Sequence, residues 1–410
     1  MDCRTNLKIG MISTHPFSDG GVAHYTENLI QALTNHKVEV VLFSNSPNGK
    51  KTARRELSKS KNLSICVCWR RGLFYPFQIF KRVVEKNVDL VHIQHEFFLY
   101  GGTISAALFP FLLLFLKFLQ IPLVVTLHGV IPLSEVNKQF LKENKLNGRS
   151  TLLKFGSIFS IKVILLLANA VIVHEKCFVE VLKNDYKCAK KIVMIPHGIE
   201  VANNKMTPDE AKRKLGLLNR TIVFFFGYIS PYKGLDTLVE GFGKVAKEHK
   251  DWTLIIGGGE HPRLQKDAAY NNYVRELKKK AFNLAPHQMI FTGFVRDEDL
   301  PVYFSAADLV VFPHNVAMSA SGPLAYAIGY QKPVLLSAIA PFKEMIDVEE
   351  ALFKKSSPKS LSRKLEFIIQ NSEIRQKVLL YVQKLMLTLS WDNAGKKTIK
   401  LYEKQLCGIN

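Results

Sequence analysis

Three short stretches of this chain combine residue types suited to handling an anion. In the first, Asp19-Gly20-Gly21-Val22 follows a β-rich run and opens a helix near Ala23. Paired glycines at that place let backbone N–H groups approach a negative charge at the positive end of a helix. The same pair also suits an ordinary strand-to-helix turn. In the second stretch, residues 227–236 (Gly-Tyr-Ile-Ser-Pro-Tyr-Lys-Gly-Leu-Asp) follow a run of almost pure β-formers, residues 222–226. Lys233 would then stand near the mouth of a strand as a compact charge able to neutralise a departing diphosphate; the plainer alternative is a solvent-facing loop lysine. The third stretch runs from Pro313-His314-Asn315 through Ser319-Ala320-Ser321-Gly322-Pro323-Leu324-Ala325-Tyr326 to Gly329 and Lys332-Pro333-Val334. Small residues before a helix, with Pro323 near its first turn, make a second N-terminal cradle for phosphate oxygens.

These residues need elements to hold them, and the surrounding pattern supplies them. Short apolar runs alternate with helical stretches, the sequence form of parallel sheets with crossover helices. In the first half the strand-like runs are residues 8–13, 38–43, 88–94, 123–127, 170–174 and 191–195. A polar stretch at 200–209 is the best boundary. Beyond it come 221–226, 252–256, 288–291, 309–312 and 333–336. The expected fold class is therefore α/β, two Rossmann-like domains of parallel strands, which bind ligands outside the carboxyl ends of their strands. The length of 410 residues suits two such domains.

Composition narrows the partners. Hydrophobic residues are 47% and charged ones 22%, a globular balance with little sign of disorder. The net charge of +21 is spread over both halves, with 26 Lys/Arg against 14 Asp/Glu in residues 1–200 and 30 against 21 in the rest. Such a field favours nucleotide diphosphates or acidic lipid headgroups. Nucleic acid is set aside, because no finger, helix-turn-helix or RNA-reading aromatic signature accompanies the charge. Six scattered cysteines without metal-ligand spacing argue against a disulfide framework. With no secretory signal recognised at the amino terminus, the expectation is a cytoplasmic protein. Residues 104–120 (ISAALFPFLLLFLKFLQ) fall short of the roughly 20 apolar residues of a span and contain Pro110 and Lys117. A buried or interfacial helix is expected there, with peripheral contact on the cytoplasmic face of an anionic membrane as the interfacial form. Residues 163–173 read as a helix end running into a buried strand.

Taken in order, the motifs resemble glycosyltransferase family 4, the retaining group with the GT-B fold, over nearly the whole chain. The series comprises Gly20-Gly21, Asp89-Leu90-Val91-His92, Thr126-Leu127-His128-Gly129, Ile195-Pro196-His197-Gly198, residues 227–236, Ile256-Gly257-Gly258-Gly259, Phe291-Thr292-Gly293-Phe294-Val295, Ala307-Asp308, Pro313 and Lys332-Pro333-Val334. Each is weak singly and specific as an ordered set. The resemblance implies domains at 1–203 (acceptor side) and 204–390 (nucleotide-sugar side), with residues 391–410 forming a helix that packs back on the first. It also implies that Gly21, beside Gly20, contacts the donor diphosphate and that His128 faces the sugar. Lys233 would bind the donor phosphates. Phe294 and Val295 would hold the nucleobase, and Ser321, Gly322, Pro323 and Leu324 would form the helix start that binds diphosphate.

Two departures qualify the match. Tyr228 stands where the family usually carries arginine, and Met318 and Tyr326 stand where it carries two glutamates eight positions apart. The run SGPLAYAIG resembles a branch of the family with a related SG-x-LAYA-x-G sequence, and Asp19, Glu96, Glu175 and Glu344 are acidic residues that could compensate. The resulting expectation is an enzyme: a retaining transfer of a sugar from a nucleotide diphosphate donor to a hydroxyl of a glycan or lipid-linked acceptor. Helix ends and Lys233 can stabilise the leaving diphosphate, so neither a cofactor nor a metal is expected. A non-catalytic relative acting as a partner subunit and a nucleotide-sugar epimerase are the competing readings.

Overall fold

The computed structural model describes residues 7–15, 21–45, 61–97, 99–136, 150–188, 190–202, 206–261, 264–316 and 321–407. Gly20, Asp19, Met318, Ser319 and Ala320 lie outside the described residues.

The alternation of apolar runs and helices resolves into two wholly parallel sheets. The first contains β1 (Lys8–Ser13), β2 (Glu39–Asn45), β3 (Leu63–Trp69), β4 (Leu90–His95), β5 (Leu123–Leu127), β6 (Ala170–Val173) and β7 (Ile192–Met194), in the order β3-β2-β1-β4-β5-β6-β7. The second contains β8 (Thr221–Phe226), β9 (Trp252–Gly257), β10 (Met289–Gly293), β11 (Leu309–Phe312), β12 (Val334–Ser337) and β13 (Leu352–Phe353), in the order β10-β9-β8-β11-β12-β13. Both faces of each sheet are buried. Val40 and Leu42 pack with Ile9 and Met11 on one side, whereas Val41 and Phe43 pack with Ile12 and Val91 on the other. In the second sheet Phe224 joins Val310 and Leu336, while Val223 and Phe225 join Leu254 and Val311. This two-residue alternation, apolar on both sides, is what a strand covered by crossover helices requires.

The chain divides into two compact units, the first comprising residues up to Gly198 together with the closing segment from Trp391, the second running from Ile199 to Ala317 and from Ser321 to Ser390. Within the first unit the helix Trp391–Cys407 packs on the helix Gly21–Asn35. Trp391 meets Tyr25 edge-on with ring centroids 5.1 Å apart, and the fully buried Tyr402 hydroxyl lies 2.6 Å from His92 Nδ1.

In each sheet the strand order reverses once, between β1 and β4 and between β8 and β11. Connections leave these neighbouring strands in opposite directions, opening a crevice at their carboxyl ends. The helix start at Gly21 follows β1, while residues 227–234 follow β8 and residues 313–316 follow β11. The anion-suited stretches read from sequence therefore sit at the switch points.

Two strands escaped the sequence reading, β3 and β13, and both are edges. An edge strand packs one side less fully: β3 (LSICVCW) is half-exposed along most of its length, so it lacks the continuous apolar run of its neighbours. The stretch 104–120 forms two separate short helices, Thr103–Ala107 and Phe109–Lys117, with Pro110 in the first turn of the second. Proline is tolerated there but not inside a continuous helix. Among the described residues no helix is long and apolar enough to cross a membrane. Residues 163–173 comprise the end of the helix Ser150–Leu167 and then β6.

Candidate functional site

The second unit builds its site around one buried lysine. After β8 the chain takes Gly227 through φ +131°, a conformation open to glycine, and its N–H donates to Gly257 O at 2.9 Å. A single 3₁₀ turn, Pro231–Lys233, follows and ends at Gly234, whose φ of +69° begins the helix Leu235–Val245. A side chain on Gly234 would strike the carbonyl oxygen of Pro313, so this turn is pressed against the segment that leaves β11. Asn315 N–H donates to Tyr232 O at 2.8 Å and fixes the same contact.

Lys233 is only 7% exposed and, among the described residues, has neither an ion pair nor a hydrogen bond for its ammonium. Nζ lies 5.9 Å from the Phe225 ring centroid and 6.0 Å from that of Tyr232. Aromatic faces attract a cation but do not replace an anion. Burial pushes the lysine down to about 8. The solvent-facing alternative for this lysine is thereby overturned: the 3₁₀ turn directs the side chain inward over Gly227. A β-carbon placed on Gly227 would lie 2.6 Å from Nζ and 3.3 Å from Pro323 Cγ, so the lysine head, the glycine backbone and the start of the next helix meet at one point.

That helix, Gly322–Gly329, is capped by Ser321, whose Oγ accepts the Leu324 N–H at 3.3 Å. Pro323 has no N–H, and Ala325 N–H is already given to Ser321 O at 3.1 Å. Gly322 N–H and the Ser321 hydroxyl are thus the donors this helix start has left for an anion. Leu324 offers nothing more, since its side chain is fully buried in the core. Two further buried polar atoms of these segments have no partner among the described residues: Ser230 Oγ, in the turn before the lysine, and His314 Nδ1. His314 is held well below the usual histidine range by burial first and by the Lys233 charge second. A neutral histidine near a lone ammonium leaves that charge without a counter-charge among the described residues. His314 was noted in sequence only as part of a motif; its proximity to Lys233 is set by β11 pairing with β8.

Around this point the remaining expected residues divide. Tyr228 and Phe294 stack, with centroids 6.2 Å apart at 26°, and His261 lies 5.5 Å from Tyr228. Phe294 is 61% exposed and presents a ring face, whereas Val295 is buried in the core and can offer a ligand only its backbone. Tyr326 packs edge-on against Phe226 at 5.8 Å and stacks near Phe304 at 6.4 Å, an apolar setting that explains an aromatic residue at that position.

The first unit holds Gly21 and His128. Gly21 starts its helix, exposed, and a side chain there would meet open space. His128 follows β5 and is nearly buried, with its ring edge-on to Tyr25 at 4.6 Å. Its Nε2 is 2.8 Å from Gln94 Oε1; since the Gln94 amide nitrogen donates to Met11 Sδ at 3.1 Å, the amide oxygen faces the histidine and accepts its Nε2–H. Burial, then the neighbouring His174 and His197, holds His128 well below the usual range. The ring is neutral and its Nδ1 is an acceptor. Gln94 is the hydrogen-bond partner of His128 that sequence reading missed, because a polar residue inside the apolar run of β4 signals nothing until the sheet brings β4 beside β5. Glu96 and Glu175 follow the carboxyl ends of β4 and β6 in this same unit, while Glu344 belongs to the second.

Metal-ligand residue types also occur in the second unit. Asp297-Glu298-Asp299 has the spacing of an Asp-x-Asp triplet, and Arg296 pairs with two of its carboxylates, 2.5 Å from Glu298 and 2.9 Å from Asp299. Among the described residues, the grouping whose atoms lie close enough to share an ion is Glu248, His249 and Glu366. His249 stacks on Trp252, which begins β9, so this group sits at the amino end of the sheet, opposite Gly227.

Comparison with known proteins accounts for the arrangement. Residues 19–203 match the model described as Glycosyltransferase Family 4, and residues 208–384 match Glycosyl transferases group 1. An uncharacterised glycosyltransferase of Methanocaldococcus jannaschii is 21% identical over 97% of this chain and 98% of its own. Other curated relatives are matched over about half of their own length. Among solved structures, Anabaena HepE in complex with UDP and glucose superposes with a TM-score of 0.73 at 17% identity, covering 97% of this chain and 100% of that one. Sucrose-phosphate synthase from Thermosynechococcus elongatus superposes with a TM-score of 0.76 at 19% identity, covering 98% and 100%. With both halves matched by the paired family models and the whole fold by these structures, the chain belongs to glycosyltransferase family 4 and has the GT-B fold.

Proposed function

We propose that this protein transfers a sugar from a nucleotide diphosphate donor to a hydroxyl acceptor, with the donor diphosphate held in the second unit by Lys233, Gly322 N–H and the Ser321 hydroxyl. The observation that carries the proposal is the buried, unpaired Lys233 ammonium set over Gly227 at the start of the helix Gly322–Gly329. In the reaction the bond between the anomeric carbon and the diphosphate oxygen breaks, the leaving oxygen gathers negative charge, and an ammonium with helix N–H groups stabilises it as it forms. The acceptor oxygen bonds to the anomeric carbon on the face the diphosphate left, giving retention, and its proton passes to the departing phosphate. Tyr228 and Phe294 supply the stacking surface for the base. His128, neutral with Nδ1 accepting, is suited to a hydroxyl of the transferred sugar. The family resemblance also suggests Gly21, at an exposed helix start of the first unit, as a residue for the diphosphate. The proposed chemistry uses no metal.

The test is a thermal-shift panel of UDP, GDP, ADP and their common sugar conjugates, with and without EDTA, on the native protein and on Lys233→Ala. Uridine nucleotides come first, because HepE binds UDP. A ligand that binds the folded state raises the midpoint. A shift from one nucleotide, kept in EDTA and reduced in Lys233→Ala, supports the donor site; no shift from any nucleotide sinks it. A second reading, a binding subunit without transferase activity, draws on Tyr326 packing into an aromatic cluster where the family carries a glutamate. It predicts nucleotide binding with neither transfer nor hydrolysis of the donor. An epimerase would return an isomerised donor without an acceptor.

A further inference from the structure

Three helices of the first unit lie side by side over one face of its sheet: Tyr75–Lys86, Phe109–Lys117 and Ser150–Leu167. The second and third are apolar on two sides, and the outer side of the first mixes Phe77 and Val84 with Lys81 and the ion pair of Arg82 and Glu85. The inner stripes, including Ile79, Val83, Leu112, Leu116, Ile161 and Ile164, are buried in the core. The outer stripes of the second and third remain apolar where a globular surface helix is ordinarily polar. On the first helix and its approach, Phe74 and Phe77 are 75% and 61% exposed; on the second, Phe111, Leu114 and Phe118 recur at intervals of three and four; on the third, Phe155, Phe159 and Leu166 keep the helical spacing. Phe118 and Leu166 reach 77% and 72% exposure. Adjacent helices thus present one contiguous outward apolar face, not scattered surface residues.

The charges on this face are predominantly of one sign, and its acidic residue is paired with Arg82. Residues 70–87, 99–121 and 150–167 contain eight lysines and arginines and a single acidic residue, Glu85. Lys81 occupies the interval between Phe77 and Val84 on one helix, and Lys162 that between Phe159 and Leu166 on another, while Lys117 adjoins Phe118. All three lysines are exposed. Long lysine stems lie along apolar surface while their heads reach outward. Protein interfaces are depleted of lysine, whereas helices lying in a bilayer surface combine phenylalanine and leucine with lysine and arginine. Among the described residues none of these helices is long and apolar enough to cross a membrane.

We propose that this three-helix face is a docking surface for an anionic lipid bilayer, with Phe77, Phe111, Phe118 and Phe159 entering the headgroup boundary and Lys81, Lys117 and Lys162 meeting lipid phosphates. The inference concerns the first unit and stands apart from the donor site, so each can fail without the other. It gives a physical reason for a lipid-linked acceptor: an enzyme held at the bilayer meets its acceptor where that acceptor is concentrated.

Flotation of the full chain with phosphatidylcholine vesicles, with and without phosphatidylglycerol, tests it. Binding is expected to require phosphatidylglycerol, to weaken with added salt, and to fall at least roughly tenfold in Phe77→Ser/Phe111→Ser/Phe159→Ser. A second variant, Lys81→Gln/Lys117→Gln/Lys162→Gln, leaves the apolar residues in place, so that its loss of binding cannot be ascribed to a failure to fold. Circular dichroism and a thermal melt of each variant, set beside the native chain, report that the first unit is intact. The proposal is overturned if the native chain ignores both kinds of vesicle, if both variants bind as it does, or if the face instead pairs two copies in lipid-free solution and the phenylalanine variant restores the monomer.

Discussion

Lys233 is the centre of the proposed donor site, and its burial makes that site sensitive to proton concentration. Its ordinary value is lowered to about 8, a cost of about 3 kcal/mol relative to water for keeping the ammonium charged. A diphosphate needs that charge. Below about pH 8 the lysine carries it in the folded protein and the burial cost is fully present; as pH rises through 8 toward the ordinary lysine range, the proton leaves, the cost is relieved and the anion site is lost. Nucleotide affinity should therefore decline above pH 8 in the native protein, and titration calorimetry across pH should find no such decline in Lys233→Ala, whose affinity is already weak. Stability is the poorer readout, because Lys332 titrates in the same window. Gly227→Ala makes a related test. Its β-carbon would meet Lys233 Nζ and its φ of +131° suits no other residue, so we expect a loss of about 1–3 kcal/mol in stability together with weakened nucleotide binding. His128→Ala should behave differently, retaining the nucleotide-induced thermal shift while transfer falls by roughly two orders of magnitude. Equal loss of binding and transfer would remove His128 from the sugar.

At the scale of elements, the helix Trp391–Cys407 returns to the first unit by way of Tyr402, which is fully buried against His92. Replacing it with phenylalanine keeps the ring and removes the hydrogen bond, leaving a buried imidazole nitrogen unsatisfied. Tyr402→Phe should cost about 1–3 kcal/mol in chemical denaturation, and an unchanged midpoint would show that water reaches His92. The same pair shows where sequence reading ends. Strands such as β1, β5, β8 and β11 were legible because both faces of each are buried and their apolar runs are unbroken. Gly227 and Gly234 were legible as turn residues because a positive φ favours glycine. Gln94 and His314 were not read as partners, since each matters through a neighbour 34 or more positions away that only the sheet brings near. Edge strand β3 hid behind its half-exposed serine and cysteines, and the inward turn of Val295 followed from packing that no local pattern encodes.

For the whole molecule, two units each with a sheet and cores of their own imply a division of labour. Lys233, Gly227, Ser321 and Gly322 all belong to the second unit, so residues 199–390 expressed alone should still give a nucleotide-dependent thermal shift. Absence of that shift in a folded fragment would mean that Gly21 and the first unit supply part of the affinity. The chain's charge of +21 adds a general attraction for anions to the specific one at Lys233. An ammonium already desolvated, with no carboxylate beside it among the described residues, does not discriminate strongly between one phosphate oxygen and another. Inorganic phosphate, pyrophosphate and sulfate should accordingly compete with the donor, raising its apparent KM without changing the maximal rate, and a preparation in phosphate buffer would understate what the protein can do.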